Sequence, residues 1–221
     1  MRLHSVIKAR AQHPERPPWS AVFAKGFGLV AKEIAPLRQV YLTFPTPHIF
    51  EFQESFVSIA YETNIEGEPM VLPVRIRSPD KVPITGFRHK IDEMKKDYLG
   101  RRGFYRILQI TSYLPAVFRR PIWWIALNVP HFRKRFFGTF AITSVGFLGA
   151  NMLTPIAPFT SLLTYGPIQD DGQLTVRLLF DHRLYDGATA ARALTRLEEI
   201  LVGCVCEELA PLSASPPAAG L

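Results

Sequence analysis

Apolar residues recur along this chain in two rhythms, one helical and one alternating, and the rhythms change places several times. Residues 1–12 read as a short basic helix, ended by Pro14, Pro17 and Pro18 in "HPERPPW", which fix the backbone and remove donors. In "SAVFAKGFGLVAKEIAPL", Val22, Phe23, Phe27, Val30 and Ile34 fall on one helical face. Ser20 is its expected cap and Pro36 its stop. "QVYLTF" is β-rich. The stretch from Ile49 to Pro79 alternates and is dense in Val, Ile, Phe and Tyr. It predicts two strands, about 55–63 and 69–76, turning at Glu66-Gly67. "ITGFRHKIDEMKKDYLG" returns to helical spacing and stops near Gly100.

Segment 101–137 is different. It holds Arg101, Arg102, Arg106, Arg119, Arg120, Arg133, Lys134 and Arg135 and no acid, with Phe, Tyr and Trp interleaved. Pro115, Pro121 and Pro130 should cut it into short helical pieces. Three strand-like runs follow: "GTFAITSVG", "TSLLTYGPI" and "QLTVRLLFDHR". The last two are joined by a tight turn around Asp171-Gly172. "DGATAARALTRLEEILVGCVCEEL" is the final helix. Helices alternating with strands predict a mixed α/β domain over 1–210. The basic aromatic stretch 101–137 is an insertion in it, and 211–221 is a disordered tail.

Composition narrows the classes. Of 221 residues, 48% are hydrophobic and 20% charged, enough to build a core. The formal charge of +7 points to anionic partners without choosing among them. Cys204 and Cys206 cannot form a disulfide framework or a four-ligand zinc site, so no metal is expected. One thiol should be half-buried and the other exposed, as suits a reducing cytoplasm. The first residues hold no apolar stretch long enough for a signal peptide. Residues 136–169 carry no charge and have the length of a membrane span. Their glycines and prolines fit strands and loops of a core instead.

The chemistry concentrates in "FDHRLYDGATAARAL", residues 180–194. His182 follows a strand pattern and is ringed by Asp181, Arg183 and Asp186. A histidine at a strand end is commonly a packed core residue. Here Asp186 stands where it can cap the next helix and pair with an arginine. Such a turn would aim the imidazole as a general base.

These residues resemble the His-x-x-x-Asp-Gly motif of the chloramphenicol acetyltransferase-like fold. The likeness is nearest to the catalytic domain of the acyltransferase components of 2-oxo acid dehydrogenase complexes. "GTFAITSVGFLGANMLTPIAPFTSLLTYGPI" also resembles that family's strand, glycine loop, Thr-Pro-Ile and second strand. The resemblance is strong over 137–201 and loose over the helix at 20–35 and the strands at 40–76. It implies a two-layer sandwich of a mixed sheet flanked by helices, and a homotrimer with active sites between neighbours.

It also implies roles for four residues. His182 is the general base and Thr143, with Ser144 beside it, the oxyanion donor. Asp186 holds the loop and an arginine, and Gly187 allows close packing. The implied reaction moves an acyl group from a CoA or carrier-protein thioester to a hydroxyl, amine or thiol, with no tightly bound cofactor. The chain departs from the family in carrying no lipoyl-bearing stretch before this unit, a different N-terminal segment, the insertion and an extended tail. A free-standing acyltransferase is therefore expected, cytoplasmic or peripheral to a membrane. The alternative is a non-catalytic scaffold or lipid-associated module that keeps the fold. For 101–137 three readings stand: a helical hairpin covering the sheet or a subunit contact, a lipid-binding surface, or a nucleic-acid surface. Its continuous apolar runs favour lipid over nucleic acid.

Overall fold

The computed structural model describes residues 1–65, 67–99, 104–144, 158–169 and 171–210. Glu66, Gly100, Arg101, Arg102, Gly103, Asp170, the glycine-rich 145–157 and the tail 211–221 lie outside the described residues. Two helices open the chain, α1 (His4–Gln12) and α2 (Trp19–Glu33). A 3₁₀ turn (Ala35–Arg38) leads into β1 (Gln39–Leu42) and β2 (His48–Glu51), which pair with each other. A long hairpin, β3 (Phe56–Ile65) and β4 (Glu68–Arg77), precedes four helices. These are α3 (Gly86–Leu99), α4 (Phe104–Tyr113), α5 (Ala116–Asn128) and α6 (Pro130–Phe136). Then come β5 (Phe140–Thr143), β6 (Ser161–Tyr165), β7 (Val176–Phe180) and α7 (Gly187–Ile200). A π-helical turn (Leu201–Val205) carries α7 on into α8 (Cys206–Leu209).

The main sheet runs β4-β3-β5-β6-β7. β3, β5 and β6 are parallel, and the outer strands β4 and β7 are antiparallel to their neighbours. The expected mixed α/β sandwich is therefore what forms. Alternation along each strand sends Val57, Ile59, Phe140, Ile142 and Leu163 into the core beneath the helices. α2 runs through that core. Phe27 meets Phe140 edge-on at 4.8 Å, and Phe23 stacks on Tyr165 at 4.5 Å. Fully burying such a side chain stabilises by about 1.5–3 kcal/mol. A Cβ on Gly26 would stand 2.8 Å from Leu201, so glycine sets how closely the C-terminal helices approach α2. Gly138, at φ +86°, starts β5, and a Cβ there would lie 2.6 Å from the Phe56 carbonyl. Only glycine fits that entry without strain. Thr139 then locks β5 to β3, its N–H donating to Phe56 O at 2.8 Å and its hydroxyl accepting from Phe56 N at 2.9 Å.

Several local expectations change. α2 begins one residue earlier than Ser20, with Pro18 as its N-cap and no side-chain cap, because proline already holds the extended entry. β2 was not foreseen. It is a four-residue ribbon strand hidden at the start of a longer alternating run. Pro121 does not break its helix but lies within α5. Every residue from Ala116 to Ile125 is exposed, so water can serve the carbonyl that proline leaves unpaired. Pro115 and Pro130 do bound helices. The uncharged stretch 136–169 contains β5 and β6. No helix among the described residues is long and apolar enough to cross a membrane. Cys204 is exposed and Cys206 half-buried.

Candidate active site

β7 delivers its last residue, Phe180, opposite Ser161 at the start of β6. The chain then turns on a set of local bonds. Asp181 N–H donates to Thr160 O at 3.0 Å, and Leu184 N–H donates to Asp181 O at 3.0 Å. The Asp181 carboxylate accepts from the backbone N–H of Arg183 at 3.1 Å and from its guanidinium at 2.6–3.1 Å. Those bonds hold the Asp181 carboxyl below the usual carboxylate range. Arg183 also lies over the Tyr41 ring, 4.4 Å from its centre. Tyr185 stacks on Phe180 at 4.8 Å and shares a 2.7 Å hydrogen bond with Ser161. Burial pushes the Tyr185 hydroxyl up to about 12.

Asp186 closes the turn. Its Oδ1 accepts from Thr189 N–H at 2.8 Å, so it is the N-cap of α7, as the sequence suggested. The expected arginine partner is not there. Asp186 is exposed and makes no ion pair among the described residues; Asp181 holds the arginine instead. Gly187 does not serve close packing either, since a Cβ there would meet nothing within 4 Å. Within this frame the His182 side chain is exposed. Its ring leans on Phe180 at 4.8 Å and has no hydrogen-bond partner among the described residues.

A cleft of about 450 Å³ opens beside this turn, between the sheet and the ends of α5 and α6. Its floor is Leu162 and Leu179, and its polar rim is Tyr41, Asn128, Arg133, Asp181 and Arg183. Arg133 donates to Leu127 O at 2.8 Å and Pro158 O at 3.0 Å. Burial pulls its guanidinium down to about 10, which a nearby anion would oppose. Sequence reading missed Tyr41, Asn128 and Arg133 as lining residues. They come from β1, α5 and α6, and no local motif ties those elements to β7.

Thr143 is elsewhere. It ends β5, where the register pairs it with Thr164, which pairs in turn with Arg177 at the start of β7. From Arg177 to Phe180 the strand spans about 10 Å, and His182 lies beyond. One chain therefore holds His182 and Thr143 at opposite ends of the sheet, far outside hydrogen-bond reach. Thr164 Oγ1, beside Thr143, is buried with no hydrogen-bond partner among the described residues. Ser144 donates to Tyr165 O at 2.7 Å. A second cavity of about 440 Å³ adjoins this end, lined by Arg10, Trp19, Ser144 and Tyr165 among others. Among the described residues no cluster of His, Cys, Asp and Glu is arranged to hold a metal.

Sheet order, strand directions and a histidine turn entering a capped helix define a chloramphenicol acetyltransferase-like fold. A probable dihydrolipoamide acetyltransferase from Listeria monocytogenes superposes with a TM-score of 0.60. That match covers 97% of this chain and 84% of the other at 19% identity. The truncated catalytic core of a 2-oxoacid dehydrogenase complex from Thermoplasma acidophilum gives 0.58 over 90% and 83%, at 20% identity. The Azotobacter vinelandii dihydrolipoamide acetyltransferase has been studied for the part of a serine, a histidine and an asparagine in catalysis. It gives 0.53 over 89% and 72%, at 19% identity. In sequence, the chain is 39% identical to the dihydrolipoyllysine-residue succinyltransferase component of the 2-oxoglutarate dehydrogenase complex from Bartonella vinsonii subsp. berkhoffii. The aligned stretch covers 29% of this chain and only 19% of that relative's length. No family model matches the chain.

Proposed function

We propose that the protein is an acyltransferase that takes its acyl group from a CoA or carrier-protein thioester. The observation that carries this reading is the His182 turn: every neighbour in it is bonded within the chain, and the imidazole alone is left open. In the Azotobacter enzyme the histidine and asparagine studied for catalysis stand four positions apart, as do His182 and Asp186 here. His182 would take the proton of an acceptor hydroxyl, amine or thiol as that group attacks the thioester carbonyl carbon. The carbonyl oxygen becomes an oxyanion and accepts a hydrogen bond from Thr143 Oγ1–H, worth about 2.7–4 kcal/mol in such sites. Collapse breaks the carbon–sulfur bond, and the departing thiolate takes the proton back from the imidazolium.

Because one chain keeps the two residues apart, the site needs a second copy. A closed homotrimer, with His182 of one subunit facing Thr143 of the next, satisfies head-to-tail surfaces without an open end. The test is complementation, with thiol release from acyl-CoA as the readout. His182→Ala alone should lose about 10²–10⁴-fold of the rate, and Thr143→Ala about 10²–10³-fold. Co-refolded together, the two should regain activity, because mixed rings contain interfaces with both groups intact. Unchanged turnover in His182→Ala would remove it as the base. Well-mixed oligomers that stay inactive would remove the shared site. Wild-type protein that releases no thiol from any acyl thioester would favour the non-catalytic scaffold.

A further inference from the structure

The run α4–α6 leaves an apolar surface that the chain does not cover. Tyr113 is 88% exposed, Val117 75% and Phe118 63%, and Trp123 and Trp124 stand 37% and 44% exposed. One side of α5 rests on the protein, with Trp124 against Phe44 at 5.3 Å and Trp123 against Phe137 at 6.2 Å, and the other side, with Val117 and Phe118, faces solvent. An outer face of Tyr113, Val117 and Phe118 is a contiguous apolar surface left open to water. Its cations are equally unanswered. Arg106, Arg119, Arg120 and Arg135 are exposed and make no ion pair among the described residues. No acid occurs between Phe104 and Phe137.

We propose that α4–α6 is a docking element for an anionic bilayer surface. α5 lies in the headgroup layer, Val117 and Phe118 at the acyl boundary and Arg119 and Arg120 on lipid phosphates. Charge complementarity selects this occupant. A symmetric contact with a second copy would set arginine against arginine across a face with no acid to offset them, and like charges brought together across an interface are repelled. An anionic lipid surface answers both the charge and the apolar area. The same helices reach the cleft from their inner end, where Leu127, Asn128 and Arg133 form part of its wall. Docking would therefore open the cleft beside His182 at the lipid boundary.

The test uses the full chain with phosphatidylcholine vesicles, with and without phosphatidylglycerol. Co-sedimentation is expected only with the anionic vesicles and should weaken as salt rises, because exposed charge is screened over about 10 Å at 0.1 M. Arg119→Glu with Arg120→Glu should weaken binding by at least about tenfold. Phe118→Ser should weaken it without touching charge. Both sites are exposed, so melting temperatures should stay at the wild-type value, and a variant that binds less only because it unfolds is recognised there. Lack of binding to anionic vesicles overturns the proposal. So does lipid-free self-association that Phe118→Ser abolishes, since that assigns the face to a second copy. Neither result depends on acyl transfer, so the two readings can fail separately.

Discussion

The turn between β7 and α7 and the run α4–α6 both set arginines beside aromatic rings, and they treat them in opposite ways. In the turn, Arg183 is held by Asp181 and laid on Tyr41, and Phe180 is covered by Tyr185 and His182. In the run, Arg106, Arg119, Arg120 and Arg135 make no ion pair among the described residues, and Phe118 and Tyr113 stand in solvent. One region is completed by its own chain except for a single imidazole. The other is left incomplete over a whole face. A group meant to react gains from neighbours that have no bonds left to make. A surface meant to bind gains from many groups still unanswered.

The contrast can be broken by measurement. The largest difference should appear between two phenylalanines. Phe27→Ala removes a fully buried ring from the core and should cost about 3–5 kcal/mol. Phe118→Ala should change stability by less than about 0.5 kcal/mol. Thermal melts of both would decide, and a comparable loss at Phe118 would mean that α5 is supported from within. Next comes the cap. Asp186→Ala should cost about 1 kcal/mol, or roughly 2–4 °C for a chain of this size. Asp186→Asn should recover most of it, since an amide oxygen can still accept from Thr189 N–H. An unchanged melting temperature in Asp186→Ala would mean the turn is not held by that bond.

The smallest effect concerns acid. The carboxyl of Asp181 titrates lower in the fold than in the unfolded chain. Its stabilisation is thus present above the unfolded pKa, about 3.9, and is lost as pH falls through the lower folded value. Asp181 is partly open to solvent, so the gain is no more than about 1 kcal/mol. Asp181→Asn should melt slightly below wild type at pH 6, and the gap should close toward pH 2.5. A gap that persists at the acid end would assign the effect to packing against Arg183, not to charge.

What was legible from sequence follows the range of the interactions involved. The β3–β4 hairpin, the three later strands and the cap of α7 depend on neighbours a few residues away, and their patterns announce them. The His182 turn was readable for the same reason. Its arginine was assigned to Asp186 and belongs to Asp181, because both acids lie within reach of Arg183 in sequence and only the direction of the turn separates them. The ribbon strand β2 and the cleft wall were not readable. Tyr41, Asn128 and Arg133 meet across elements about 90 residues apart, and nothing in their own surroundings marks the meeting. Pro121 misled for an energetic reason: the bond it removes is costly in a buried helix and cheap in one bathed by solvent.

The sheet order has a consequence in time. β5, the central strand, is made only after the hairpin and all of α3–α6. Until then β3 presents an unpaired edge, and the face of α2 that will receive Phe140, Leu197 and Leu201 has nothing to rest on. The first half of the chain therefore waits for the second, as the many contacts between distant segments require. During that wait the apolar face of α2 and the Trp- and Phe-rich helices of 104–136 are both uncovered. A released chain truncated before Gly138 should consequently be more aggregation-prone than the complete one.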